Sequence, residues 1–227
     1  MAGMSVARDL AHGLDDRLEI HCGAQIAAAR PGPEGWRLET RDGVGLGPFA
    51  AVVVAIPPPQ VPPLLAEVTA LADLRAWIAE LEIDPCQAVL VSFRERLSVP
   101  FDAAFVADSP LSWIARNGSK PGRPDGECWV LHGSPEWSRA HVETTPEEVG
   151  ARLLAAFREA IGHPLPETRY VGSHRWLYAR TRTPADRACE WRPREAIGLC
   201  GDWMLGCRVE DAFRSGQALA RRMIAAS

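Results

Sequence analysis

The sequence predicts a mixed α/β (α+β) chain in which a parallel-sheet unit is interrupted by an antiparallel-sheet unit with helices. Three observations carry this. Phe49 to Ile56 (FAAVVVAI) and the shorter Ile197 to Cys200 are continuous apolar runs, as expected of strands covered on both faces. Between them, strand-like segments follow one another with no helix intervening, which indicates antiparallel pairing. Helical spacing returns in the middle and at the end of the chain.

Taken in order, Val6, Leu10 and Leu14 are spaced for a short helix over Ser5 to Leu14. Leu18 to His21, Gln25 to Ala29 and Trp36 to Thr40 read as strands, the last two forming a hairpin around the turn-rich stretch Arg30 to Gly35. The run at Phe49 to Ile56 must stop at Pro57-Pro58-Pro59, because proline has no N–H for a ladder. Helical spacing covers Leu64 to Leu81, and Glu82 to Pro85 is a break. Gln87 to Phe93, Ala103 to Ala107, Leu111 to Arg116 and Cys128 to His132 are then predicted strands. Thr145-Pro146-Glu147-Glu148 supplies an N-cap, a proline at the first helical position and acidic residues, so a helix runs to Ile161 before Gly162. Arg169 to Tyr178 is extended and Arg180 to Arg194 irregular, and Val209 to Ala225 closes the chain as a helix with the stripe Val209, Phe213, Gly216, Ala220 and Met223. The predicted division is therefore 1–56 with 175–227 as one domain and 57–174 as the other.

Composition narrows the function. The 227 residues are 47% hydrophobic and 24% charged, an ordinary globular mixture. A net charge of −4 gives no basic field for a phosphate backbone, so nucleic acid is not an expected partner. No apolar window is long enough for a bilayer and Arg8 and Asp9 interrupt the start, so no membrane partner is expected and the location is read as cytoplasmic. Cys22, Cys86, Cys128, Cys189, Cys200 and Cys207 form no C-x-x-C pair, and we read them as reduced and mostly buried, with no metal site.

The most informative stretch is Ile197 to Ala220 (IGLCGDWMLGCRVEDAFRSGQALA). A strand ending in Gly201-Asp202 sets a carboxylate at the carboxyl edge of a sheet, where open α/β sheets bind ligands. The loop through Gly206 lets backbone approach something flat, and the helix start near Arg208 to Asp211 aims its positive end at the same place.

This segment resembles the carboxyl-terminal flavin motif of flavin-dependent amine oxidases, and the whole chain is most similar to bacterial renalase-like oxidoreductases. Four further segments share the likeness in order and spacing: GMSVARDLAHGLD from Gly3, AAVVVAIPPPQVPPLL from Ala50, CWVLHGSPEWSRAH from Cys128 and HRWLYAR from His174. The resemblance implies an incomplete FAD/NAD(P)-binding domain interrupted by an antiparallel-sheet substrate domain, with FAD as cofactor and a small-molecule substrate. It implies that Gly201 and Asp202 contact the flavin's ribityl or phosphate region and that Gly206, Arg208, Val209 and Glu210 lie along the isoalloxazine. Trp176, Tyr178 and Trp203 would line the flavin face and substrate pocket. The implied reaction passes a hydride from a reduced nicotinamide-type or amine substrate to the flavin, with dioxygen reoxidising it to give hydrogen peroxide.

One expected motif is missing. Dinucleotide binding in this fold uses G-x-G-x-x-G on a βαβ unit, and the nearest cluster, Gly43-Val44-Gly45-Leu46-Gly47, has the wrong spacing and precedes a strand. By the resemblance Met1 corresponds to an interior position of the family, so tight FAD binding by this chain alone is not expected. Unpaired strand edges would favour self-association or a separate N-terminal nucleotide-binding half. The alternative reading is a non-catalytic remnant or interaction module needing such a half. A hydrolase built on Ser134 or Ser138 with His132 or His141 is disfavoured by the lack of a G-x-S-x-G elbow. No general base stands out, and His174 is read first as structural.

Overall fold

Gly32 and Gly35 close the first hairpin, in which β1 (Ile26–Gly32) and β2 (Gly35–Thr40) pair antiparallel and β3 (Gly45–Phe49) adds to β2. Gly35 adopts φ 126°, and a Cβ there would strike the Phe49 backbone, so the tight reversal needs glycine. Buried Trp36 donates from Nε1 to the Glu195 carbonyl at 2.8 Å, fastening this hairpin to a distant part of the chain. The computed structural model describes residues 18–226, so the predicted helix over Ser5 to Leu14 lies outside them. Leu18 to His21 is not a strand; it finds no pairing partner among the described residues.

The two apolar runs far apart in sequence meet as predicted. β4 (Val52–Val54) pairs in parallel with β11 (Ile197–Leu199), and β10 (Glu190–Arg192) pairs antiparallel on β11's other side. β4 is shorter than the eight-residue run because Phe49 belongs to β3 and three prolines follow Ile56. Val52 and Val54 are buried while Val53 is exposed, so among the described residues the strand is covered on one face only. Val52 N–H donates to Ala196 and Cys200 N–H donates to the Val54 carbonyl. By alternation the peptide groups of Val53 point away from β11, leaving that edge unpaired among the described residues.

Instead of one helix over Leu64 to Leu81 there are two, α1 (Val61–Leu64) and α2 (Ala72–Ala79). Pro62 and Pro63 start α1, and the Leu65 carbonyl beyond it accepts both the Val68 N–H at 3.0 Å and Arg75 Nη1 at 2.9 Å, which ties the break to α2. Val61, Leu65, Leu71, Leu74 and Ile78 pack with Val52, Val54, Ile197, Leu199 and Met204 into one core.

A second core lies on one face of a five-stranded antiparallel sheet, ordered β6 (Ala103–Phe105), β7 (Leu111–Arg116), β8 (Glu127–Gly133), β5 (Ile83–Phe93), β9 (Thr168–Thr181). The predicted break at Glu82 to Pro85 is instead the start of β5, and Pro85, with no N–H, coincides with a register shift against β9. α3 (Pro135–Ala140) follows β8, and α4 (Pro146–Ile161) buries Val149, Leu153, Ala156 and Phe157 against Val89, Val91, Phe93, Trp129 and Leu131. The α4 ends are as predicted: Thr145 Oγ1 accepts the Glu148 N–H at 3.3 Å and Gly162 caps at φ 68°. Thr145→Ala is expected to cost about 1 kcal/mol in urea denaturation, and Thr145→Ser almost nothing.

β9 runs unbroken from Thr168 to Thr181, through residues 174 and 175. α5 (Val209–Ala225) covers the predicted range, but the buried positions are Ser215 and Leu219, while Val209 is 71% and Phe213 58% exposed. The predicted stripe is thus not the docked face. Gly198 decides this: a Cβ there would meet both Leu219 methyls at 2.8 Å, so the bare strand backbone admits Leu219 and sets the helix's rotation. Among the six cysteines only Cys189 and Cys200 are buried, whereas Cys22 and Cys207 are exposed, correcting the expectation of mostly buried thiols; all are free. Among the described residues no helix is long and apolar enough to cross a membrane.

Candidate functional site

The face of the five-stranded sheet opposite α4 is open, and cross-strand register sets its chemistry. Phe105 pairs with Trp113, Trp113 with His132, His132 with Ala88 and Ala88 with His174, so these five side chains form one row across the sheet. One step along β9, Trp176 stands opposite Cys86. Phe105, Trp113, His132, Cys86, Trp176 and Tyr178 line a cavity of about 600 Å³, which Cys207 closes from the loop before α5. The cavity therefore lies where the aromatic sheet face meets the start of the last helix.

Its polar groups are few and mostly committed. Ser112 Oγ donates to the Gly133 carbonyl at 3.2 Å, and burial pushes the Cys86 thiol up to about 11, so it is a neutral wall atom. Burial, helped by the Lys120 charge, lowers the His132 imidazole, which is therefore neutral at pH 7 and has no hydrogen-bond partner among the described residues. Asp84 is buried at the rim. Burial acts to raise its carboxyl, but hydrogen bonds from Arg182 and Arg139, each 2.7 Å to Oδ1, outweigh that and hold it below the usual range.

The predicted ring-binding segment is built as follows. Gly201 N–H donates to Ser215 Oγ at 3.0 Å, and Asp202 Oδ1 accepts the Trp203 N–H at 2.9 Å while its carbonyl accepts the Leu205 and Gly206 N–H groups. Asp211 Oδ2 accepts the N–H groups of Cys207 and Arg208 at 3.2 and 3.0 Å, and a Cβ on Gly206 would collide with that carboxylate. The amides of Val209 and Glu210 make no hydrogen bond among the described residues, so two N–H groups face outward at the positive end of α5. Arg208, Val209 and Glu210 are exposed on that end. Asp211 and Ser215, which sequence reasoning passed over, organise this turn; the reach-back spacing of Asp211, three residues after Arg208, was the available signal.

Trp176 and Tyr178 line this cavity, whereas Trp203 borders only a small crevice with Tyr178 and Asp202. It is 3% exposed in the first core, near Trp77, with Nε1 donating to the Ile56 carbonyl at 3.2 Å. It props the Gly201 turn from behind, because a polar N–H in reach of a buried carbonyl draws the indole inward. His174 sits at the open end of the row, edge-on to Trp176 at 4.4 Å, and lines a different, polar crevice. The hydrolase set dissolves into structural roles. Ser134 caps α3, buried Ser138 accepts the Gln87 N–H, and His141 stacks on Trp137 and bonds its carbonyl. No group of side chains suited to a metal ion exists among the described residues.

A flavin ring fits what is present: a glycine corner at strand end, two uncommitted N–H groups at a helix start, and an adjoining aromatic cavity. This meeting of a parallel strand pair, a helix start and an antiparallel sheet is consistent with part of the fold of flavin-dependent oxidoreductases. Within that class, the chain belongs to the family of flavin containing amine oxidoreductases, whose family model matches residues 1–224. Three solved structures are similar to it in fold. A putative protoporphyrinogen oxidase from Exiguobacterium sp. 255-15 matches at TM-score 0.73 and 19% identity over 97% of this chain and 50% of its own. Wild-type putrescine oxidase bound to putrescine matches at TM-score 0.64 and 16% identity, over 97% of this chain and 52% of its own. An oxidoreductase from Methanosarcina mazei matches at TM-score 0.66 and 15% identity over 89% of this chain and 50% of its own. The chain thus spans about half the length of the structures it matches.

Proposed function

We propose that this chain is the substrate-binding and ring-facing part of a FAD-dependent oxidoreductase of the renalase and amine-oxidase kind, completed by a nucleotide-binding half. FAD, when bound, supplies hydride acceptance from a reduced nicotinamide-type or amine substrate and reoxidation by dioxygen to hydrogen peroxide. The outward N–H groups of Val209 and Glu210 favour negative charge on a ring set beside them. Asp202 and Gly201 hold the turn that carries the ribityl side. Trp113, Trp176 and Tyr178 exclude water and orient a flat substrate, and neutral His132 presents a hydrogen-bonding nitrogen to its polar edge. The unpaired edge of β4, beside a groove of about 570 Å³ lined by Val52 to Ile56 and Pro63, is where the companion half would dock. Six free cysteines suit a reducing compartment, the cytoplasm.

The observation that carries this reading is the cavity shared by the sheet's aromatic row and Cys207 at the start of α5. Two probes test it. Lumiflavin, the ring without its tail, is expected to quench the cavity tryptophans, and Trp176→Ala to weaken that binding tenfold or more, about 1.4 kcal/mol. Asp202→Ala is expected to weaken FAD but not lumiflavin. Equal affinity of wild type and Asp202→Ala for FAD would reduce Asp202 to a cap for Trp203. Binding of neither flavin would count against the ring-facing assignment and favour the second reading, a non-catalytic module.

A further inference from the structure

Two thiols unused by the proposed reaction meet beneath α5. The β10–β11 ladder pairs Glu190 with Leu199, Trp191 with Gly198 and Arg192 with Ile197, so one step beyond it Cys189 stands opposite Cys200. Cys200 N–H donates to Val54 at 3.2 Å, on the side away from β10. That makes the cysteine pair a narrow, non-hydrogen-bonded position, where Cα atoms lie about 4.5 Å apart. A disulfide accepts Cα separations of roughly 4.4–6.8 Å. Both side chains share one small core with Leu219, packed by Trp191, Ala218 and Met223, so they face the same way. Burial, and for Cys200 also the neighbouring Cys189, raises the thiols above their usual range.

At 1% and 7% exposure the two sulfurs are inert while α5 is docked. The docking is thin: only Ser215 and Leu219 of α5 are fully covered, and Val209, Phe213 and Ile224 point outward. We infer that Cys189 and Cys200 are a latent cross-strand disulfide, closed by a peroxide when α5 lifts from the β10–β11 pair. One sulfur, as thiolate, attacks a peroxide oxygen; the S–O bond forms as the O–O bond breaks, and the leaving oxygen departs as water. The second sulfur then displaces the hydroxyl as another water and the S–S bond forms. Two thiols lose two electrons and two protons, and hydrogen peroxide becomes two waters. The bridge would end one residue before Gly201, whose N–H is held by Ser215 of α5, so it would pin the strand end that leads into the Gly201-Asp202 turn. The inference rests on strand register and not on the flavin reading, although the reaction proposed above would itself supply the oxidant.

The test treats the whole chain with hydrogen peroxide, quenches, denatures, alkylates the remaining thiols and maps the peptides. A Cys189–Cys200 linked peptide is expected, with both positions protected from alkylation, and it should vanish in Cys189→Ser and Cys200→Ser. Sub-denaturing urea, which loosens α5, should raise the linked yield, and this arm stands even where the serine variants fold poorly. Full alkylation of both positions at a dose that oxidises exposed Cys22 and Cys207 would overturn the inference, as would a bridge from either residue to another cysteine, or a yield indifferent to urea.

Discussion

Glu127→Ala is expected to lower folding stability by about 3–5 kcal/mol, because it strands a buried guanidinium. Glu127 Oε1 accepts from Arg116 Nε and from the Leu97 N–H, each at 3.2 Å, and from Trp129 Nε1 at 2.8 Å. Arg116 and Glu127 are both almost wholly out of water, and the Arg116 guanidinium lies 5.0 Å from the centre of the Trp129 ring. Asp102 also pairs with Arg116, at 2.9 Å, but is largely exposed and is screened by solvent. Urea denaturation should show the loss, a smaller one for Glu127→Gln, and partial recovery when Arg116→Met is added, since the stranded charge is then gone. A loss below about 1 kcal/mol for Glu127→Ala would mean that Asp102 and solvent suffice for Arg116. The site lies at the end of β8 remote from His132 and the cavity, so lumiflavin binding by the folded variant should be unchanged.

Gly201→Ala is expected to cost about 2–4 kcal/mol, from overpacking and the loss of one buried hydrogen bond. A methyl there would enter the Trp203 indole, which cannot yield without leaving the core and giving up its bond to the Ile56 carbonyl. The damage should be local. Hydrogen exchange is expected to accelerate in β11 and α5, whose packing depends on the Gly201 turn, and to stay slow in β5 and β8, which belong to the second core. Uniform acceleration would show that the two cores unfold as one.

Much of the fold was legible because local rules were undisturbed. The α4 boundaries follow from Thr145, Pro146 and Gly162, each satisfying groups at its own helix end, and no distant contact was needed to place them. The strands of the five-stranded sheet likewise read correctly from alternation and turns, with β5 extended backward through Pro85 by pairing that only its neighbour β9 supplies. Helical spacing over Leu64 to Leu81 misled, since these leucines reach one core from two short helices and from the turns between and after them. The site was legible in part. Trp176 and Tyr178 reach the cavity because β9 alternation fixes their face, whereas the sequence does not show that Trp203 is buried beneath its loop, since an aromatic beside a loop and one beneath it look alike. The meeting of His132 with Trp113 was out of reach: it comes through cross-strand register, which joins residues on strands β7 and β8 by pairing and leaves no pattern in either segment alone.

The sequence by itself determined most of the strands, the capped helix over Pro146 to Ile161, the stop at the three prolines, and that Gly201-Asp202 closes a parallel strand before a final helix, because those outcomes depend on a residue and its near neighbours. Only the tertiary structure decided which face of α5 docks, which tryptophan supports and which lines, and which thiols meet. Those depend on a Leu219 side chain entering space that Gly198 leaves empty, and on strand registers between segments well separated along the chain, terms that no local pattern encodes.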